Sequence, residues 1–392
     1  MFDKNRYLKN IIESDALASH KMAFVSGPRQ VGKTTLGNSL VLKEENIFSW
    51  EDPIFRNDWI ANPKESVANR QAGPVLLDEI HKDPNWKQNL KGLYDLKGKS
   101  IPIIVTGSAR LDVFRKGGDS LMGRFFPYHL HPFTLGEQEN PNSPNDFLQI
   151  KASLNFPMND ILNLSGFPEP LFDASAAKAK RWSRLRSERL VNEDIRDIMA
   201  IQSLRSLANL LSLLPERVGS LLSINNLRET LQVSHGSVSS WLQVFESLFV
   251  LFYVRPWSKK LTRMVTAEPK FYLFDSIPIK NTGAKTENIV ACHLLKACHY
   301  WTDTAQGHFE LFFLRNKDML EVDFLITNEG DPWCLVEVKS GQLTPCKNLV
   351  TFAEALGVKH RFQLVSKVGY DKLFAEHNIR VVNTEKFLAA LV

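Results

Sequence analysis

A chain of 392 residues is longer than one ordinary core organises, so about two to four domains are expected. Its 44% apolar and 23% charged residues are those of a folded soluble protein, and no apolar run approaches the ~18 residues of a membrane span. The N-terminus lacks a signal-like apolar core and the few cysteines all lie late in the chain, so reduced thiols and cytoplasmic residence are expected; a net charge of +5 permits nucleic-acid contact without requiring it.

Residues 21–26 read as a short buried strand and 34–41 as a helix. Between them Gly27-Pro28-Arg29-Gln30-Val31-Gly32-Lys33-Thr34 has the spacing of a phosphate-binding loop. Gly32 allows the tight turn that points successive N–H groups inward as an anion nest. Lys33 carries a charge on a long stem toward β- and γ-phosphates, the Thr34 hydroxyl is placed for Mg²⁺, and Thr35 completes the nucleotide-lining run. The helix dipole adds to the site. Residues 46–50 read as a second strand, 55–70 as helical, and Pro74-Val75-Leu76-Leu77-Asp78-Glu79 as a strand ending in two carboxylates. Downstream of a phosphate loop, Asp78 is expected to hold Mg²⁺ through water and Glu79 to polarise the attacking water.

Residues 86–96 read as a helix and 101–106 as a strand. Strands and helices in alternation predict an α/β fold with a parallel sheet, ligands lying at the carboxyl ends of the strands. That places Thr106, Gly107 and Ser108 beside the phosphates, with Ser108 as a candidate γ-phosphate sensor. Loop, Asp78-Glu79 and Thr106-Gly107-Ser108 together resemble the AAA+ ATPases. More narrowly, they resemble prokaryotic ATPases in which this module precedes a winged helix and a nuclease-like domain. Ser120-Leu-Met-Gly-Arg124 followed by Leu130-His-Pro-Phe-Thr-Leu-Gly-Glu137 fits that group's pattern. The resemblance implies ATP rather than GTP, and a charge-stabilising role for Arg124, in its own subunit or toward a neighbour.

Residues 140–146 are rich in turn formers and read as a linker. Ser165-Gly-Phe-Pro-Glu169 resembles the Gly-x-Pro element that contacts the base in signal-transducing members of the superfamily, which would put Pro168 against adenine. The helix expected over 178–198 mixes signs and reads as a solvated face. Residues 224–251 have helix-turn-helix spacing, with Ser234 as a cap and Val238, Leu242, Phe245 and Leu248 continuing one apolar face. Strands at 250–254 and 270–274 then flank a tip carrying Arg255, Lys259, Lys260 and Arg263, which could grip phosphates. The face that would read bases offers His235, Ser237, Ser240 and Gln243 and neither Arg nor Lys. The expected division is an AAA+ P-loop domain over 1–140, a helical lid over 141–212, a winged helix over 213–280 and a last α/β domain over 281–392.

In that last segment a helix over 287–300, strands at 309–315, 320–327 and 333–340, a helix at 349–356 and a strand at 362–366 follow one another. Strand alternation puts Asp323 on one face, opposite Val322, Phe324 and Ile326, and pairs Glu337 with Lys339. Element order and the set Glu287, Asp323, Glu337 and Lys339 resemble the PD-(D/E)XK nuclease-like fold. The resemblance implies Mg²⁺ on Asp323 and Glu337, a water-activating Lys339, and Glu287 completing the cluster. Cys292-His293 and Cys298-His299 match no standard zinc spacing. Three functions stay open: an ATP-driven conformational switch, a metal-dependent nuclease of DNA or RNA regulated by ATP, and a scaffold with a degenerate nuclease fold. A homo-oligomer or a protein partner is compatible with each.

Overall fold

Met22–Ser26 is buried at every position, the signature of a parallel strand covered on both faces. A computed structural model describes residues 6–67, 71–97, 100–107, 121–137, 141–151, 156–195, 204–259 and 267–392. In it Met22–Ser26 is β1, joined by β2 (Ile47–Ser49), β3 (Val75–Asp78), β4 (Ile103–Thr106) and β5 (Phe125–His129). Among the described residues these form a five-stranded sheet in the order β2-β3-β4-β1-β5, every pair parallel. Aromatic packing holds one face together: Phe24 stacks on Phe125 at 4.4 Å, within a cluster that includes Trp50, Trp59 and Trp86.

The sequence gives no strand signal at β5, where Pro127 interrupts a half-exposed run. The strand forms because it lies at the sheet's edge, where a residue without N–H is tolerated. The helix expected over 55–70 is shorter, Pro53–Ala61, since Pro63 disfavours the helical conformation of the residue before it.

The chain divides into two units, one of Met1–Pro132, Gln138–Pro141 and Ser247–Phe249, the other of Phe133–Glu137, Asn142–Glu246 and Val250–Val392. The second unit begins with helices that include Met158–Leu164, Pro168–Asp173, Ala176–Arg189 and Leu204–Leu213. The helix-turn-helix spacing is realised as Ile224–Leu231 and His235–Ser247, and Ser234 Oγ accepts from Ser237 N at 3.0 Å as the expected cap. Then come β6 (Leu251–Pro256), β7 (Lys270–Leu273), the helix Thr282–Asp303, β8 (Phe309–Arg315), β9 (Glu321–Asn328) and β10 (Asp331–Val338). The helix Lys347–Leu356 and β11 (His360–Val365) follow, completing the element order read from the sequence. Beyond them β12 (Asp371–Phe374), β13 (Ile379–Asn383) and the helix Thr384–Ala389 were not anticipated.

These strands make one mixed sheet, ordered β12-β13-β11-β10-β9-β8-β6-β7. The hairpin expected as a wing is therefore part of the C-terminal sheet: Arg255 and Pro256 of β6 pair with Phe312 and Phe313 of β8. At the outer strand, the Asn288 side chain accepts from Leu273 N at 2.7 Å and donates to Leu273 O at 2.9 Å, partly covering the open edge. No helix among the described residues is long and apolar enough to cross a membrane.

Candidate nucleotide site and the carboxylate cluster

The phosphate loop runs from the end of β1 to the helix Lys33–Leu40, with Gly32 left-handed at φ 98°. Gly27 lies against the backbone of Leu130; a Cβ there would stand 2.2 Å from the carbonyl oxygen. Arg6, which the sequence reading passed over, is buried and donates to Val31 O at 2.8 Å and to His131 O at 2.5 Å, fixing the loop from behind. Pro28 and Val31 are buried, while Arg29, Thr34 and Thr35 are exposed and Gln30 is half-buried with φ 66°. Lys33 Nζ donates to Gly27 O and Pro28 O at 2.9 and 2.8 Å, curling over its own loop.

The residues expected to serve magnesium come together. Thr34 Oγ1 donates to Asp78 Oδ2 at 3.0 Å, and Thr106 Oγ1 donates to Asp78 Oδ1. A hydroxyl beside a carboxylate at the carboxyl end of a parallel sheet is a hard-oxygen pair that fits Mg²⁺. Thr106 is thus an orienting residue the sequence reading placed nearby without a role. Glu79 follows in the left-handed conformation, φ 55° and ψ 24°, which costs a non-glycine residue about 1–2 kcal/mol and persists only where its surroundings hold it. Its N–H bonds Thr106 O at 2.9 Å and its carboxylate lies 3.5 Å from His81. Burial, reinforced by Asp78, pushes the Glu79 pKa up against the pull of Lys33, Lys82 and Arg29. A carboxylate raised in this way is a better proton acceptor than an ordinary glutamate.

Ser108 lies outside the described residues. Arg124 does not reach this site within its own chain. Met22 N bonds Arg124 O, so Arg124 stands at the amino ends of the strands, about 13 Å of strand away from the loop. There its guanidinium forks onto Asp95 at 2.7 and 3.2 Å. Pro168 opens the helix Pro168–Asp173, where a missing N–H costs nothing.

In the second unit Asp323, Glu337 and Lys339 also meet. Asp323 N donates to Glu337 Oε2 at 3.0 Å, Val338 N to Asp323 Oδ2 at 2.9 Å, and Lys339 lies 2.7 Å from Glu337 Oε1. Strict alternation fails here. Between Phe312/Leu325 and Leu314/Val322 the register shifts, and the extra residue in β9 sends Val322 and Leu325 into the same core cluster. Phe324 packs instead against Tyr272, with ring centroids 5.6 Å apart. Glu287 joins the group through Tyr272, whose hydroxyl donates to its Oε1 at 2.7 Å, and through Lys270, 3.5 Å away. Glu321 belongs too, 2.6 Å from Lys270. Burial and the Asp323 charge push Glu287 and Glu337 up to about 7, and burial raises Asp323 as well. Lys270, Tyr272 and Glu321 were missed; a lysine opening the apolar strand Lys270-Phe-Tyr-Leu was the available signal. Among the described residues no group of three or more His, Cys, Asp or Glu is arranged to hold a metal ion, while Asp323 and Glu337, the two expected Mg²⁺ ligands, stand side by side.

Residues 19–139 match the family model of an AAA domain, and residues 157–277 and 282–387 match two domains of unknown function, DUF8612 and DUF4143. The N-terminal part thus combines a match to an AAA domain model with a glycine loop on a parallel sheet. Uncharacterized protein Rv2008c of Mycobacterium tuberculosis is 23% identical over 263 residues, 67% of this chain and 56% of its own. Uncharacterized protein MJ1637 of Methanocaldococcus jannaschii is 26% identical over 262 residues, 57% of this chain and 54% of its own. The chain spans about half the length of these relatives. Among solved structures, the ORC1 protein of Aeropyrum pernix in complex with DNA has a TM-score of 0.30 at 14% identity, covering 74% of this chain and 94% of that one. The RuvB Holliday junction branch migration motor of Thermotoga maritima also scores 0.30 at 14% identity, with coverages of 62% and 88%. Likenesses at that score carry no functional weight.

Proposed function

We propose that the chain is an ATP-hydrolysing molecular switch. The carrying observation is the meeting of Thr34 and Asp78, 3.0 Å apart, at the mouth of a glycine loop that also presents Lys33. Mg²⁺ held by Thr34 and Asp78 would neutralise charge on the β- and γ-phosphates. Lys33 leaves its loop carbonyls to bind the same oxygens, and the loop N–H groups and helix dipole orient the chain of phosphates. Glu79 accepts a proton from the attacking water as it adds to the γ-phosphorus; the bond to the bridging oxygen breaks, and ADP and phosphate leave. Pro168 against adenine and Ser108 as a sensor belong to this reading. So does Arg124 acting on a neighbouring copy, since within its own chain it lies at the far ends of the strands.

In this reading the state of the nucleotide repositions the lid over 141–212, the winged helix over 213–280 and the nuclease-like domain over 281–392. The basic residues Arg255 and Lys259 support DNA or RNA as what the moving part engages. ATP binding and turnover measured on full-length protein test the core of it. Lys33→Ala is expected to lose both, and Glu79→Gln to keep binding while turnover drops about 10²–10⁴-fold. Equal binding and turnover in wild type and Lys33→Ala would end this reading.

A further inference from the structure

The carboxylate cluster of the second unit already contains a cation. Lys270 Nζ lies 2.6 Å from Glu321 Oε1, 3.5 Å from Glu287 Oε1 and 3.8 Å from Asp323 Oδ1. Its side chain is 4% exposed and its ammonium sits 5.5 Å from the centre of the Phe313 ring. Burial alone would discharge it, but Glu287, Asp323 and Glu321 outweigh burial and hold its pKa above the ordinary lysine value.

Several other oxygens of the cluster are committed elsewhere. Glu337 Oε2 accepts from Asp323 N, Asp323 Oδ2 accepts from Val338 N, and Glu337 Oε1 is paired with Lys339. Glu321 Oε2 accepts from Arg315 at 3.4 Å, and three of the oxygens the backbone does not take, Glu287 Oε1, Glu321 Oε1 and Asp323 Oδ1, face Lys270. Gly219 closes the side toward Glu287, since even a Cβ there would lie 3.0 Å from Oε1. A divalent ion between Glu287, Glu321 and Asp323 would need these same oxygens at about 2.0–2.6 Å.

We propose that Lys270 is the resident cation of this cluster: its tethered ammonium stands where a divalent metal would have to stand. The folded domain therefore takes up neither Mg²⁺ nor Mn²⁺ here and does not cut nucleic acid through Asp323, Glu337 and Lys339. The cluster instead locks β7 to β9 and to the helix Thr282–Asp303. This does not depend on the nucleotide reading.

Full-length protein carrying Thr34→Ala, to silence the phosphate loop, is titrated with Mn²⁺ without nucleotide, the free ion being followed by electron paramagnetic resonance. Wild-type and Asp323→Asn clusters are expected to take up equal amounts. Lys270→Ala is expected to gain one site per chain, at least about tenfold tighter than any in the parent, and Lys270→Ala with Asp323→Asn to lose it. Uptake by the wild-type cluster that Asp323→Asn abolishes would overturn the proposal, as would a folded Lys270→Ala protein that binds no better than its parent. If Lys270→Ala does not fold, the wild-type and Asp323→Asn pair still decides. Nuclease assays with Mg²⁺ and Mn²⁺ on DNA and RNA run alongside. Cleavage by the wild type that Asp323→Asn removes would likewise overturn the proposal.

Discussion

Gly27 has room for a hydrogen and nothing larger. A methyl group there would stand 2.2 Å from Leu130 O, and its φ of +152° is one L side chains rarely adopt. Gly27→Ala should therefore push the Leu130 backbone outward and cost upwards of about 2 kcal/mol, read as a lowered thermal midpoint together with weakened ATP binding. The loop motif was legible because local spacing alone defines it: Gly32, Lys33 and Thr34 take the places their types predict. The reason for Gly27 was not legible, since the atom it avoids lies about a hundred residues downstream. Asp78 and Glu79 could be read from a strand ending in two carboxylates. Lys270 could not, because its partners Glu287, Glu321 and Asp323 are adjacent only after the sheet has formed.

At the scale of elements, Phe133–Glu137 shows how a segment without regular structure can be held. Thr134 Oγ1 donates to Val392 O at 2.6 Å, Glu137 pairs with the fully buried Lys296 at 2.7 Å, and Leu135 N donates to His293 Nε2 at 3.1 Å. His293 Nδ1 meets Ile289 O at 2.8 Å, so the neutral ring with its proton on Nδ1 serves both contacts. Burial, with Lys296 nearby, lowers its pKa from 6.5 to about 3 against the pull of Ile289 O. The folded state thus resists a proton that the unfolded chain accepts. Stability is full above pH ~6.5 and falls as pH drops toward about 3, by up to ~1.4 kcal/mol per unit from this group. Denaturant unfolding of the second unit between pH 7 and 5 should show that slope, and His293→Gln should flatten it. The same commitment removes His293 from any zinc pair with Cys292, whose thiol donates to Leu273 O at 3.4 Å. Elements built on strong periodicity were read nearly to the residue, such as Phe309–Arg315. An edge strand with a proline and a bulge at Asp323 were not, because sheet position decides both.

At the scale of the molecule, the eight-stranded sheet draws β6 and β7 from one side of the helix Thr282–Asp303 and the remaining strands from the other. A fragment of residues 281–392 would leave β8 with a raw edge and the carboxylates without Lys270. It should fail to show a cooperative melt by circular dichroism, while 133–392, which restores both and keeps Glu137 on Lys296, should melt as one transition. The boundary between the two matched domains of unknown function falls inside this sheet, at residues 277–282. An ancestor that exchanged either half for an unrelated module would have stranded a buried ammonium or its counter-charges. The two halves are accordingly one structural piece, in which a change to either reaches the other's buried charges.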